Sequence, residues 1–214
     1  MQIADLKRLV TAGENTYIEF KREIPSAEKI AREISALANT HGGTLLVGVD
    51  DDGTIIGVQG YEEQEYLLDL AVNELCEPAV TIDIEIVSVS RKRDVLVVSI
   101  IEAEKKPVSV VGEEGRQYYV RDRDKSVKAS RERVKVLRKQ TSGVGVTFEF
   151  GYNEQMLLRY LDEYGRITVN AYSNLINTGR KKAAAILVNL TSAGILQMNR
   201  AEDDIEWFSM SRDI

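Results

Sequence analysis

The sequence predicts an α+β protein with a mostly antiparallel sheet, followed by a smaller helical domain that ends in a hairpin. Up to about residue 140, short β-branched runs alternate with tight-turn residues and a few amphipathic helical stretches. From residue 153 onward, three helical patterns follow one another closely and two short extended runs come after them. We therefore expect a first domain over 1–140, a linker over 141–151 and a second domain over 152–214.

The elements of the first domain follow from hydrophobic periodicity and turn residues. Spacing of three to four residues predicts helices near 4–10, 26–39, 62–76 and 130–140. Alternation and β-branched runs predict strands at "TYIEFK", "TLLVGVD", "TIIGVQ", "TIDIEIVSVS", "DVLVVSII", "PVSVV" and "QYYVR". Ser26 is suited to cap the second helix, and Glu28 in its first turn suits the helix dipole.

The stretch "ANTHGGTLLVGVDDDG" could be a phosphate cradle, but its spacing favours architecture. Gly42 and Gly43 follow a helix instead of opening one, and they lack the lysine of a P-loop. We expect them to form the turn from helix to strand, where glycine accepts positive φ. The acids at 50–52 with Gly53 do not have the spacing of a calcium loop, and they predict a hairpin turn.

The second domain has the element order of a winged helix-turn-helix. In that arrangement the third helix enters a DNA major groove, and here it begins with Arg180, Lys181 and Lys182. Cations oppose the dipole at a helix start, so a phosphate partner would explain them. The alternative is that they only face water. The expected wing is acidic, at residues 202–204, which favours a wing turned away from DNA or a protein partner.

Charge and composition exclude several classes of protein. The net charge is −6, but residues 1–90 carry 6 Lys+Arg against 17 Asp+Glu, whereas residues 91–139 carry 15 against 8. No apolar run is long enough for a membrane span and the N-terminus lacks a signal-peptide pattern, so we expect a cytoplasmic protein. Cys76 is the single cysteine and His41 the single histidine, which excludes disulfides, a thiolate zinc site and a histidine-rich metal site. We interpret Cys76 as packed at a helix end and His41 as a turn residue with a satisfied hydrogen bond.

Three motifs resemble the Schlafen-type AlbA-like family, which is associated with DNA binding and occurs in bacterial regulators beside a helix-turn-helix. They are "ENTYIEFK" (14–21), "ISALANTHGGTLLVGVDDDGTIIGV" (34–58) and "YYVRDRDKSVKAS" (118–130). The resemblance covers about two thirds of the chain and implies the AlbA-like fold. Eukaryotic Schlafen relatives are metal-dependent ribonucleases that cleave tRNA, and their acidic triad is similar to Glu14, Glu19 and Asp50. Asp51 could replace Asp50, because adjacent residues in a strand face opposite sides.

These observations lead to three hypotheses. The first is a bacterial DNA-binding transcriptional regulator, a homodimer on duplex DNA with RNA as a possible partner and no membrane partner. Its expected phosphate contacts are Lys21, Arg121, Arg123, Lys125, Lys128, Arg180, Lys181 and Lys182. The second is a metal-dependent endoribonuclease in which Glu14, Glu19 and Asp50 hold Mg²⁺ or Mn²⁺; no cofactor is expected otherwise. The third is a protein-interaction module, suggested by the acidic wing and the acidic first ninety residues.

Overall fold

The computed structural model of the protein describes residues 1–142, 150–200 and 205–211. It contains two compact units, Met1–Ala129 and Ser130–Ile214. Most of the expected linker, at 143–149, lies outside the described residues, as do the wing acids at 202–204. The first unit ends before the basic helix that we expected to close it, whereas the sequence predicted a boundary at residue 140. That helix instead packs within the second unit.

The first unit contains three α-helices and eight strands, and all of its residues are described. In chain order they are α1 (Ile3–Ala12), β1 (Ile18–Lys21), α2 (Ala27–Asn39), β2 (Gly43–Val47), α3 (Tyr61–Leu70), β3 (Cys76–Glu77), β4 (Ile82–Ser90), β5 (Arg93–Ile100), β6 (Ser109–Gly112), β7 (Gly115–Asp122) and β8 (Lys125–Lys128). The helix expected over 62–76 is α3 plus a π-helical turn at Ala71–Leu75. The strands differ from the sequence prediction in three places: β3 and β8 were not expected, and the run "TIIGVQ" forms only isolated bridges instead of a strand.

The strands form two sheets of four. The first has the order β1-β2-β5-β4, in which β1 and β2 are parallel and the other neighbours antiparallel. The second has the order β3-β6-β7-β8 and is antiparallel throughout. The prediction of a mostly antiparallel α+β unit is confirmed.

The side chains of β2 alternate between two apolar clusters, as the pleat of a strand requires. Leu45 and Val47 are buried in the cluster that contains the apolar face of α2. Leu46 is buried on the opposite face, in the cluster that contains Leu6 of α1 and Phe20 of β1. Helices therefore cover both faces of the first sheet.

Asn39, the last residue of α2, connects this helix to the second sheet. Its side chain is buried, and its Nδ2 donates to the carbonyl oxygens of Val108 and Tyr119, each at 2.9 Å. Its Oδ1 accepts from the Val108 N–H at 2.7 Å. Because these groups are paired inside the unit, the end of α2 has a fixed position against β7.

The turn between α2 and β2 confirms the architectural interpretation of the two glycines. Gly42 has φ +69°, and a Cβ there would lie 2.6 Å from the Ile100 carbonyl oxygen. A Cβ on Gly43 would collide with the Tyr17 carbonyl oxygen. A turn follows β2 as expected, with the Gly53 N–H donating to the Asp50 carbonyl at 2.8 Å, but it leads to the isolated bridge between Val49 and Ile55 instead of a second strand.

The second unit contains α4 (Arg131–Gln140), α5 (Tyr152–Tyr164), α6 (Val169–Leu175), α7 (Arg180–Ser192), β9 (Leu196–Arg200) and β10 (Glu206–Met210). The two strands pair antiparallel, and Phe208 of β10 also makes a bridge with Ile167. Residues from α5, α6, α7 and β10 share one apolar core that includes Leu157, Tyr172 and Leu187. The observed order from α5 to β10 is the one that the sequence predicts.

Candidate nucleic-acid interface

A buried ion-pair cluster centred on Arg121 of β7 lies inside the first unit. Its Nη1 is 2.6 Å from Glu19 Oε2 of β1 and 3.6 Å from Glu33 Oε2 of α2. It also donates to Ser126 Oγ of β8 at 3.1 Å, and Nη2 donates to the Asn15 carbonyl at 2.7 Å. The Arg121 side chain has no exposed surface. These partners enclose its guanidinium, whereas the sequence predicted a contact between Arg121 and phosphate.

Lys21 of β1 lies beside the same cluster. Its Nζ pairs with the Glu19 carboxylate and donates to the Phe20 carbonyl. About a quarter of its side chain is exposed, at 27%. Lys21 can therefore reach a phosphate only by sharing its charge with Glu19.

The three acids expected to hold a metal make separate contacts. Glu19 accepts from Arg121 and pairs with Lys21, whereas Glu14 Oε1 accepts the Phe20 N–H at 2.9 Å. Asp50 lies near Arg22, with 3.4 Å between Oδ2 and Nη1. Across the described ranges, no group of three His, Cys, Asp or Glu side chains has the arrangement of a metal site. The donors present do not fit Mg²⁺ or Mn²⁺, because two cations already neutralise the central carboxylate.

Glu14 nevertheless has an unusual electrostatic environment. Partial burial raises the pKa of its carboxyl above the ordinary 4.5, and the Phe20 N–H opposes this by stabilising the charged form. The neighbouring charges of Glu19 and Asp51 raise the pKa further, while Lys21 lowers it. The aspartate that acts on Glu14 here is Asp51, which is the alternative that the sequence left open.

Exposed cations surround the turn that joins β7 to β8. Arg123 and Lys125 lie in or next to this turn, Lys128 lies at the end of β8, and all three are exposed. Arg123 adopts φ +57°, which a non-glycine residue seldom does. Since Arg121 and Ser126 anchor the two strands from inside the unit, this hairpin presents its cations from a fixed base.

A second group of cations opens α7 in the second unit. Arg180, Lys181 and Lys182 form its first turn, are exposed, and have no acidic residue beside them in that turn. Arg180 Nη1 is 3.3 Å from Glu132 Oε1 of α4, and the Glu132 side chain is only 10% exposed. Glu132 therefore compensates one of the three cations.

The two remaining candidates from the sequence have clear environments. Cys76 is buried, burial raises the pKa of its thiol to about 12, and its Sγ lies 3.8 Å from the Ala31 carbonyl. It is a packed residue, as expected. His41 is exposed, and its ring centroid lies 5.9 Å from that of Tyr17 at an interplanar angle of 34°. Tyr17 is not among the residues predicted from the sequence, although its place directly before the strand in "ENTYIEFK" is a signal that could have identified it.

A protein-family model described as "Schlafen, AlbA_2" matches residues 14–130 of the chain. The chain belongs to this family. The match covers the elements from β1 to β8 and includes the Arg121 cluster and the β7–β8 hairpin. Membership of the Schlafen AlbA_2 family suggests nucleic-acid binding, and α4 to β10 lie beyond the matched region.

Other comparisons add little to this family assignment. The crystal structure of the DIP2311 protein from Corynebacterium diphtheriae is similar, with 21% identity and a TM-score of 0.45. The similarity covers 67% of this chain but only 33% of that protein, so the chain spans about a third of its length. No curated protein matches the sequence. Among the described residues, every helix is too short or too polar to traverse a lipid bilayer.

Proposed function

We propose that the protein is a DNA-binding transcriptional regulator whose second unit is a winged helix and whose α7 enters the major groove. The observation that carries this proposal is the exposed basic first turn of α7, formed by Arg180, Lys181 and Lys182. The recognition helix of a winged helix places its N-terminal residues against the DNA.

The energetics of this turn support a ligand over a purely structural role. Each cation at a helix N-terminus costs a few tenths of a kcal/mol or more, because it meets the positive end of the helix dipole. Glu132 offsets this cost for Arg180. Within the described ranges, no ion pair offsets it for Lys181 or Lys182. A phosphate backbone would supply the missing counter-charge.

The packing of α7 is compatible with groove entry. Its buried residues, which include Ala183, Ala184, Leu187 and Leu190, hold it against the core of the second unit. Because that face of α7 is buried in the core, its exposed first turn is the part of the helix that a partner can contact. We further propose that the regulator is a homodimer, so that two copies of α7 meet two half-sites.

The first unit adds a second phosphate surface in this proposal. Arg123, Lys125 and Lys128 supply the exposed charge, with Lys21 at its margin. Arg121 has a positioning role, since it anchors the hairpin that carries these cations. The endoribonuclease hypothesis has less support, because Glu19 is engaged by Arg121 and Lys21 and is not open to a metal ion.

The test is duplex binding by fluorescence anisotropy at several salt concentrations. Lys181→Ala with Lys182→Ala should weaken binding about tenfold, and the slope of log affinity against log salt should fall by about two. The matched control is Arg91→Ala with Lys92→Ala, two exposed cations in the β4–β5 turn, which should leave both quantities unchanged.

Two results would contradict the proposal. Equal duplex affinity and salt slope in the α7 variant and the wild type would exclude groove entry by this helix. Parallel incubations of labelled tRNA with Mg²⁺, with Mn²⁺ and with chelator test the nuclease hypothesis. If tRNA fragments form only in the presence of metal and Glu19→Gln abolishes them, the protein is a nuclease and the regulator proposal is wrong.

A further inference from the structure

Tyr17 and His41 form an exposed aromatic pair on the first unit. Tyr17 is 54% exposed, and His41 is exposed as well. Their ring centroids are 5.9 Å apart with the planes tilted by 34°. Neither ring is part of the buried apolar clusters of the first unit. The contact between them therefore needs an explanation other than core packing.

The backbone on both sides of this pair is held firmly. The Tyr17 N–H donates to Asn15 Oδ1 at 2.8 Å, and the Tyr17 carbonyl accepts the Thr44 N–H at 2.7 Å. On the other side, the Gly42 N–H donates to the Leu37 carbonyl at 2.8 Å, which closes the end of α2. The backbone that carries the two rings is therefore fixed before a ligand binds, and a ligand has to order only the side chains.

The basic β7–β8 hairpin begins beside this pair. The Arg121 N–H donates to Thr40 Oγ1 at 2.9 Å, and Thr40 directly precedes His41. The Arg121 guanidinium contacts the Asn15 carbonyl, two residues before Tyr17. Arg123 follows Arg121 by two residues, in the turn after β7, so its Cα lies within about 7 Å of the Arg121 Cα. Arg121 thus contacts both segments that carry the aromatic pair, and the exposed cations Arg123 and Lys125 follow it by two and four residues.

Exposed aromatic rings next to cations are the combination that binds single-stranded nucleic acid. Bases stack on the rings while cations neutralise the neighbouring phosphates. A base inside a duplex is stacked on both faces by its neighbours and is not available to a ring on the protein surface. The pair therefore selects an unpaired base over a paired one.

We infer that the first unit has a binding site for single-stranded nucleic acid, in which an unpaired base stacks on the Tyr17–His41 pair and adjacent phosphates contact Arg123 and Lys125. This site lies on the first unit and not on α7, and its aromatic rings have no part in the proposed duplex binding. Arg123 and Lys125 also belong to the proposed second phosphate surface, so the rings distinguish the single-strand site from it. The single-strand site gives the protein a second nucleic-acid ligand: a looped or melted strand.

The test uses a 12-nucleotide single strand that carries 2-aminopurine, made as DNA and as RNA of the same sequence. Stacking on Tyr17 and His41 should change the 2-aminopurine fluorescence on binding. Tyr17→Ala and His41→Ala should each weaken binding about tenfold, as expected for the loss of one stacking contact. Tyr17→Phe keeps the ring and should bind within about twofold of the wild type.

Tyr66→Ala is the matched control, because Tyr66 is 63% exposed on α3 and lies outside the proposed site. It should leave the single-strand affinity unchanged. A strand with abasic positions in place of the central bases should bind the wild-type protein about tenfold more weakly, which tests stacking without any mutation. If the DNA strand or the RNA strand shows these expected affinity changes, the proposed site is supported. The strand that shows them is the ligand of the site.

Equal affinity of Tyr17→Ala and wild type, or equal affinity for the abasic and intact strands, would overturn the inference. The outcome is distinguishable from that of the duplex experiment. Lys181→Ala with Lys182→Ala should leave single-strand affinity unchanged, and Tyr17→Ala should leave duplex affinity unchanged. If single-strand binding instead follows the lysines of α7, the site on the first unit does not exist.

Discussion

Arg121 and Glu19 are 102 residues apart in the chain, and their side chains meet at 2.6 Å inside the first unit. The contact joins β7 of the second sheet to β1 of the first. Glu33 of α2, which lies near the same guanidinium, brings the helix into the cluster. One side chain thus fixes the relation of three elements that surround the candidate interface.

Arg121→Met should destabilise the protein by about 3–5 kcal/mol, because it leaves the carboxylate of Glu19 buried without its main counter-ion. The measurement is the free energy of unfolding in urea. Arg116→Met is the matched control, since Arg116 also lies on β7 and also pairs with a glutamate, Glu77, at 2.6 Å. That pair is more than half exposed on both sides, so its loss should cost less than about 1 kcal/mol. Similar costs for the two variants would mean that burial does not strengthen the Arg121 contact.

Gly42→Ala should destabilise the protein more than Gly165→Ala does. Both glycines have positive φ, +69° and +77°, so an alanine at either position should lower the free energy of unfolding by about 1–2 kcal/mol through backbone strain. A Cβ at Gly42 would also lie 2.6 Å from the Ile100 carbonyl oxygen, whereas a Cβ at Gly165 meets no atom within 4 Å. Thermal unfolding of the two variants separates the steric cost from the conformational one. Equal losses would show that the turn after α2 can relax away from β5.

Glu14→Gln should raise the melting temperature at pH 7. The difference in melting temperature between the variant and the wild type should shrink as the pH falls. The pKa of Glu14 is raised in the folded protein, so the folded state binds this proton more tightly than the unfolded chain does. The contribution of Glu14 to the free energy of unfolding is therefore fully present below the ordinary pKa of 4.5. It is lost as the pH rises through the pKa of Glu14 in the folded protein. Glutamine resembles the protonated form and can still accept the Phe20 N–H.

Glu28→Gln provides the control of opposite sign. Hydrogen bonds from the backbone at the start of α2 and from Ser26 lower the pKa of Glu28. Its charged form is thus favoured by folding, and Glu28→Gln should lower the melting temperature at pH 7. A shift of the same sign in both variants would indicate a general charge effect, because the protein is acidic, instead of a local one at Glu14.

The helices and most strands could be predicted because their signals are local. Ser26 caps α2 as expected, with its Oγ accepting the Lys29 N–H. The turn before β8 escaped prediction because it contains neither glycine nor asparagine, and Arg123 adopts the positive φ instead. The run after Gly53 forms only isolated bridges: Gly48 and Gly57 have positive φ, and the N–H groups of Ile56 and Gly57 both donate to the Gly48 carbonyl, which is not the pattern of a regular ladder.

The candidate site was harder to predict because its contacts are between distant residues. Arg121 stands in a strongly basic stretch, which suggested an exposed phosphate contact. Nothing near it in the sequence identifies Glu19 and Glu33 as its partners. The same holds for Tyr17 and His41, which are 24 positions apart in the sequence and meet only because β1 and β2 are neighbours. The exposed cations of α7 needed no such pairing, and their exposure could be inferred from the helix pattern alone.

The division after Ala129 separates α4 from the first unit. A fragment that stops at residue 140 would keep α4, which has the buried side chains Val134, Val136 and Leu137, but would lose α7, which α4 contacts. Apolar surface of α4 would then be exposed to water and favour aggregation of the fragment. A gene fusion that exchanges the second unit for another domain should therefore join at Ala129, with α4 treated as the first element of the domain being replaced.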